Sequence, residues 1–150
     1  EIRAVIITAT GGMFCAGGDL KEFNGQGDNL SGYVRRHATL LHAGITRFQR
    51  MDAPVIIAVN GIAAGAGLSL AASGDVVLAA DNAVFISAYT ASGLTPDGSS
   101  TYFLAKHIGL MRAKEMILLN RKLSAQEACD WGLVDRVYST RADLERQKAQ

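Results

Sequence analysis

The chain is poor in the residues that mark several common protein classes. Its 150 residues include only two cysteines, Cys15 and Cys129, which lie far apart and form no CxxC pair. Neither a zinc site nor a disulfide framework is therefore expected, and a reducing cytoplasm is the predicted location. The formal net charge is only +1, which does not suggest a nucleic-acid partner. The longest apolar runs, such as residues 55–59, are too short to cross a membrane.

The composition is that of a single folded unit. Apolar residues make up 49% of the chain, which suffices for one packed domain but not for two. We therefore predict one domain over residues 1–150, without a linker, a repeat or a low-complexity segment. The first residue is Glu1 rather than Met, and a strand-like run begins at residue 2. This beginning suggests a fragment of a longer protein.

Apolar runs and periodic patterns alternate along the chain. Strands are predicted at residues 2–8, 55–59, 76–79, 84–87 and 133–137. A long amphipathic helix is predicted from Tyr33 to Met51, ended by Pro54, one of only two prolines. Shorter helices are predicted at residues 19–24, 68–73, 99–107, 110–119 and 125–131, and a solvated helix is predicted from Arg141. Ser99 or Ser100 is expected to cap the helix at 99–107, and a capping box of Ser124 and Glu127 to begin the helix at 125–131. Alternating strands and helices predict an α/β fold.

Two glycine-rich loops each follow a buried strand. They comprise residues 14–20 (FCAGGDL) and 60–67 (NGIAAGAG), and the second loop leads into a helix N-terminus. Such a terminus presents unpaired N–H groups and partial positive charge. Two N–H groups that converge on one oxygen would stabilise an anion, and one such donor is worth about 10²–10³ in rate. From spacing alone, the alternative is that these glycines serve only turns and close packing.

Other motifs are weaker. The segment 65–70 lacks the third small residue of a dinucleotide-binding loop, and no acidic residue lies near position 85 to bind a ribose. A triad of Cys15, His42 and Asp97 can be drawn, but nothing in the sequence places these three residues together. Cys15 is interpreted as packing in its loop, His37 and His107 as surface residues, and Trp131 as a core residue.

Four blocks of sequence, taken in order, resemble the crotonase (enoyl-CoA hydratase/isomerase) superfamily. They lie at residues 7–20, 54–67 (PVIIAVNGIAAGAG), 93–98 (GLTPDG) and 123–134, and so cover nearly the whole chain. The resemblance implies a crotonase-like ββα spiral without its first turns and without the C-terminal helical region. It also implies an acyl-CoA substrate, no cofactor other than the coenzyme A of that substrate, and a homotrimer or dimer of trimers at full length.

The resemblance also implies roles for individual residues. The family's oxyanion hole falls on the backbone N–H groups of Gly18 and Ala66, and the substrate pocket falls on Ala16, Asp19, Leu20, Ser69 and Tyr89. Family hydratases carry two glutamates at the positions of Ser69 and Tyr89. Neither residue can act as a carboxylate base, so simple enoyl-CoA hydration is not expected.

Asp97 is the acidic residue that remains for catalysis. It matches the position at which several isomerases of the family and the 4-chlorobenzoyl-CoA dehalogenases have their catalytic carboxylate. Without the resemblance, the local sequence also allows an Asp that only forms a Pro-Asp-Gly turn and caps the next helix. His42 matches the position of the dehalogenases' general base. Without the family resemblance, its place at the edge of the apolar helix face indicates only a hydrogen-bonded border residue. Tyr89 matches the position of a Trp that orients the Asp of the dehalogenases.

Three functions therefore stay open, and the first is favoured. It is an isomerase close to those acting on enoyl-CoA and ring-epoxidised phenylacetyl-CoA, with Asp97 as the base. The second is a hydrolytic aryl-CoA dehalogenase with Asp97 as nucleophile and His42 as base, and the third is a non-catalytic acyl-CoA-binding protein.

Overall fold

The chain is built from short strands, of which the first six form three consecutive pairs with helices between the pairs, while a helix separates the last two strands. The computed structural model describes residues 2–139, 143, 144 and 146. The strands are β1 Val5–Ile7, β2 Met13–Cys15, β3 Val55–Val59, β4 Ile62–Ala64, β5 Val76–Ala80, β6 Val84–Ile86, β7 Lys122–Ser124 and β8 Arg136–Tyr138. The helices are α1 Leu20–Asn24, α2 Leu30–Phe48, α3 Ala66–Ala72, α4 Ser100–Ile108, α5 Leu110–Leu119 and α6 Ala125–Trp131.

The two strands of each pair belong to different sheets. One sheet has the order β1-β3-β5-β8 and is parallel throughout. The other has the order β2-β4-β6-β7, in which β7 alone is antiparallel. Each ββα turn thus adds one strand to each sheet, which confirms the predicted α/β spiral. Fully buried side chains such as Ile57, Leu68 and Phe85 place β3, α3 and β6 at the centre of the core. None of the helices in the described part of the chain is long and apolar enough to cross a bilayer.

Several element boundaries differ from the predictions. Strands β2 and β4 lie in segments predicted as loops, and β7 lies where no strand was predicted. Three residues are too few to show a period, and these strands are defined by pairing. Helix α2 begins three residues earlier than predicted, and the last strand begins at Arg136 rather than at residue 133.

The predicted caps and tail have different outcomes. The capping box of Ser124 and Glu127 is confirmed, and the Ser124 N–H lowers the pKa of Glu127. Ser99 precedes α4 in the left-handed region without a side-chain cap, and the hydroxyl of Ser100 donates to the carbonyl of Asp97 at 2.9 Å, so the expected serine cap is wrong. Most of the tail from Arg141 lies outside the described residues, but Leu144 is buried against other apolar residues and is not solvated.

The backbones of the two glycine-rich loops are in contact. A Cβ atom on Gly67 would lie 2.1 Å from the carbonyl oxygen of Cys15, and one on Gly61 would lie 2.2 Å from that of Gly12. A Cβ on Gly17 would lie 2.9 Å from the carbonyl oxygen of Ala64, and Gly17 has a φ of +89°. No residue with a side chain fits such approaches, so the glycines fix the distance between the loops.

We expect Gly67→Ala to destabilise the protein by about 3 kcal/mol, since the added methyl group must displace the backbone at Cys15. Gly44→Ala is the matched control, because Gly44 lies inside α2 with nothing within 4 Å of an added Cβ. It should stabilise the protein by about 1 kcal/mol, the difference in helix propensity. Urea unfolding of both variants measures the effects. Equal stability of the two would show that the loops do not touch.

Candidate active site

A cavity of about 570 Å³ opens where the two loops meet helix α2. Its walls are mostly apolar, and they also carry a few polar groups. The lining includes the predicted site residues Ala16, Gly18, Asp19, Leu20, Ala66, Tyr89 and Asp97. A mostly apolar cleft with a few convergent polar groups is typical of a small-molecule site.

Two backbone N–H groups of the cavity wall have no partner within the described residues. Gly18 lies in the loop before α1, and no acceptor of the described chain bonds its N–H. Ala66 is the first residue of α3, so its N–H has no acceptor within the helix. Gly65 turns the chain from β4 into α3 with φ 54° and ψ −122°, a conformation open essentially to glycine. The cavity wall therefore includes two residues whose backbone N–H groups have no acceptor among the described residues.

Asp97 is held at the cavity wall by a chain of hydrogen bonds, which we call the Ser69–Tyr89–Asp97 network. The Tyr89 hydroxyl donates to Asp97 Oδ1 at 2.6 Å, and Ser69 Oγ lies 2.7 Å from the Tyr89 hydroxyl. Burial, and then the bond to Asp97, raises the pKa of Tyr89 well above its usual value. The phenol therefore keeps its proton and acts as a donor. The Asp97 side chain is 28% exposed, which leaves it open to the cavity.

His42 lies beside Asp97 but forms its hydrogen bond elsewhere. Its Nε2 accepts the N–H of Gly98 at 2.9 Å and lies 3.9 Å from Asp97 Oδ2. A nitrogen that accepts a hydrogen bond carries no proton, so the ring is the neutral form with its proton on Nδ1. In this arrangement His42 is a neighbour of the carboxylate and not its cationic partner.

The whole chain matches a known protein family. The profile of the Enoyl-CoA hydratase/isomerase family matches residues 1–150. The chain belongs to this family.

Curated and solved relatives agree with this assignment. A 4-chlorobenzoyl coenzyme A dehalogenase from Arthrobacter sp is 37% identical over 93% of the chain and 51% of its own length. The 1,2-epoxyphenylacetyl-CoA isomerase of Escherichia coli (strain K12) is 40% identical over 99% of the chain and 58% of its own length. The crystal structure of an enoyl-CoA hydratase from Polaromonas sp. JS666 superposes with a TM-score of 0.91 at 38% identity, covering 99% of this chain and 58% of that one. The chain thus spans about half the length of the curated relatives that it matches.

Two of the residues predicted to line the substrate pocket, Ser69 and Asp19, have structural contacts that the family resemblance did not predict. Ser69 was predicted to line the pocket but is fully buried, and it is linked to the cavity through Tyr89 and Asp97. The carboxylate of Asp19 caps α1, accepting the N–H of Lys21 at 2.9 Å and that of Glu22 at 3.2 Å. The structure brings Gly18, Ala66, Tyr89 and Asp97 together at one cavity, while the roles assigned to them stay predictions.

Other cavity residues were missed by sequence reasoning. Tyr33 donates a hydrogen bond to the Glu22 carboxylate and stacks on His37 with ring centroids 4.1 Å apart, and all three line the cavity. The spacing of four between Tyr33 and His37 on one helix could have predicted the stack. The contact with Glu22 joins two elements, so no local pattern in the sequence predicts it.

The remaining single-residue interpretations have mixed outcomes. His37 is exposed, as predicted, although it also lines the cavity. His107 is not a surface residue, because its partly buried ring donates from Nε2 to the carbonyl of Ala72 at 3.0 Å. Trp131 lies at the edge of the core rather than inside it, since the guanidinium groups of Arg112 and Arg121 cover its ring. Cys15 packs against the core and also lines the cavity.

We expect Tyr89→Phe to leave the phenolate absorbance of the native protein unchanged up to about pH 11, because the pKa of Tyr89 lies above the usual tyrosine range near 10. In the unfolded protein the same substitution removes one phenolate. A pKa raised by folding stabilises the protein below pH 10, and this contribution is lost as the pH rises further. The unfolded protein is therefore the internal control for the native measurement. A fall in the native absorbance of Tyr89→Phe at pH 10 would contradict the buried donor.

Proposed function

We propose that this chain contains the active site of an enoyl-CoA isomerase, which moves a proton between two carbons of an acyl-CoA. One observation carries the proposal. The Asp97 carboxylate and the unpaired N–H groups of Gly18 and Ala66 line the same cavity. A base and an oxyanion site at one cavity are what removal of a proton next to a thioester carbonyl requires.

The proposed reaction uses only these groups. The N–H groups of Gly18 and Ala66 donate to the thioester oxygen, which acidifies the α or γ C–H of the acyl group. The Asp97 carboxylate takes that proton, and the electron pair of the C–H bond moves into an enolate whose negative charge lies on the thioester oxygen. Asp97 then returns the proton to the other carbon and the carbonyl reforms. No water is consumed and no further cofactor is needed.

The other carboxylates of the cavity are less suited to this role. Asp19 and Glu22 are both exposed, and each is already bonded, Asp19 to the N-terminus of α1 and Glu22 to Tyr33. The positions of the family hydratases' glutamates hold Ser69 and Tyr89, and neither of these can act as a carboxylate base. This leaves Asp97 as the proton carrier and favours isomerisation over hydration.

A hydrolytic aryl-CoA dehalogenase is the second candidate, favoured by the 3.9 Å between His42 Nε2 and Asp97 Oδ2. In that chemistry Asp97 attacks the ring carbon, displaces the halide as an anion and forms an aryl ester, and His42 then activates a water that hydrolyses the ester. His42 would first have to release Gly98, whose N–H occupies its lone pair. Isomerisation does not need this step.

For the complete protein we propose a cytoplasmic homotrimer or dimer of trimers.

We expect Asp97→Asn to reduce turnover of a 3-enoyl-CoA by about 10²–10⁴-fold, because the amide cannot accept the proton. Acyl-CoA binding should persist, because Gly18 and Ala66 donate through their backbones. Protein from the complete reading frame is assayed for turnover and, by calorimetry, for acyl-CoA binding. Asp130→Asn, on the exposed surface of α6, is the control. Full activity of Asp97→Asn would remove Asp97 from the mechanism, and binding without turnover in the parent would indicate a non-catalytic protein.

The two candidate chemistries give opposite results for His42→Gln. If the protein is an isomerase, as proposed, the substitution should alter turnover by no more than a few-fold, because Asp97 alone moves the proton. Incubation with 4-chlorobenzoyl-CoA should then leave the protein mass unchanged. A dehalogenase would instead trap the aryl ester on Asp97, and intact-mass and peptide analysis would detect it. Such an adduct would establish the second candidate and exclude the first.

A further inference from the structure

Ser69 is a fully buried hydroxyl that the proposed reaction does not use. Its Oγ lies 2.7 Å from the Tyr89 hydroxyl, 3.0 Å from the Asp97 carbonyl oxygen and 3.4 Å from that of Gly65. A serine hydroxyl carries one proton, so it donates one hydrogen bond and accepts others. Proton counting along the network therefore decides what Ser69 does.

The direction of the network is fixed from its far end. An ionised carboxylate only accepts hydrogen bonds, so the proton between Tyr89 and Asp97 Oδ1 belongs to Tyr89. The Tyr89 oxygen has no second proton, so Ser69 is the donor when those two hydroxyls bond. When Ser69 donates to the Asp97 carbonyl instead, it holds the backbone of the same residue. In both of these orientations the Ser69 proton restrains Asp97, and both acceptors lie nearer to Ser69 Oγ than the Gly65 carbonyl oxygen at 3.4 Å.

The two oxygens of the Asp97 carboxylate therefore differ. Oδ1 accepts the Tyr89 hydroxyl, whereas no described residue donates a hydrogen bond to Oδ2. His42 Nε2 lies 3.9 Å from Oδ2, and it is an unprotonated nitrogen whose lone pair is occupied by the Gly98 N–H. His42 is therefore not a free acceptor for a proton on Oδ2.

We propose that Ser69 is a positioning residue that reserves Oδ2 of Asp97 for the proton of the substrate. The inference rests on the proposed isomerase function. During the reaction the C–H bond breaks and the Oδ2–H bond forms, while the electron pair passes to the thioester oxygen. Because Tyr89 remains a donor to Oδ1 and His42 is occupied, the proton returns from Oδ2 to the second carbon rather than to solvent.

The packing around Ser69 agrees with this role. A Cβ atom on Gly98 would lie 2.8 Å from Ser69 Cβ, so the turn that carries Asp97 lies directly against the serine. A larger side chain at position 69 would push that turn away. Serine is the smallest residue with a hydroxyl, and so it can restrain Asp97 without displacing it.

Ser69→Ala tests the proposal through the fate of the transferred proton. With a 3-enoyl-CoA deuterated at the donor carbon, we expect a smaller fraction of the deuterium to reach the product than in the parent. We also expect kcat to fall about fivefold to tenfold with little change in KM, the size of effect that one hydrogen bond produces. Ser69→Cys nearly keeps the volume but donates weakly, and should behave like Ser69→Ala. It maintains the test if the alanine variant fails to fold.

Ser73→Ala is the matched control, a buried serine at the end of the same helix whose hydroxyl donates to the Leu70 carbonyl at 2.8 Å. It should change neither deuterium transfer nor kcat. In a Tyr89→Phe background, Ser69→Ala should have a smaller effect than in the parent, because part of its action passes through Tyr89. The proposal would be overturned if folded Ser69→Ala and Ser69→Cys transferred as much deuterium as the parent. It would also be overturned if the effects of Ser69→Ala and Tyr89→Phe were strictly additive. Activity in Asp97→Asn would instead overturn the proposed function.

Discussion

The contact between the two glycine-rich loops is the constraint on which the site depends. Gly18 and Ala66 are separated in sequence by two helices and two strands, yet both line one cavity, and no described residue accepts a hydrogen bond from either N–H. Gly67 and Gly61 make this possible, because a side chain on Gly67 would overlap the carbonyl of Cys15 in the first loop, and one on Gly61 would overlap the carbonyl of Gly12 just before it. A backbone donor can be moved only by moving the backbone. Close packing of main chain on main chain therefore fixes the pair of donors more rigidly than side chains could.

Helix α3 then links the two halves of the proposed chemistry. It begins with the Ala66 N–H, and three residues later, on the same face, it carries Ser69. Ser69 in turn bonds Tyr89 and the backbone of Asp97, which belong to the next ββα turn of the spiral. A displacement of α3 would therefore disturb the proposed oxyanion donor and the carboxylate together. This coupling gives a physical reason for a glycine at position 65 and a small hydroxyl residue at position 69.

Sequence reasoning found what local patterns encode. The two loops, helix α2 and the capping box of Ser124 follow from glycine spacing, helical periodicity and cap chemistry, and the order of the blocks indicated the family. Strands β2, β4 and β7 were missed because they exist only through pairing with neighbours. The bond from Tyr33 to Glu22 and the burial of Ser69 were missed for the same reason, since partners on separate elements leave no sequence period. Which group donates in each hydrogen bond of the Ser69–Tyr89–Asp97 network can be derived only from the distances between its atoms.

The Ser69–Tyr89–Asp97 network does not by itself separate the two candidate reactions, because holding Oδ1 leaves Oδ2 free either to take a proton or to attack a ring carbon. The difference therefore lies in His42. In the described structure its lone pair is satisfied by Gly98, and activation of a water requires that bond to break. One neutral hydrogen bond is worth about 1 kcal/mol, so this cost slows hydrolysis by about fivefold and does not forbid it. The position of the 96–98 turn, which carries both Asp97 and the Gly98 N–H, therefore decides whether the His42 lone pair is free.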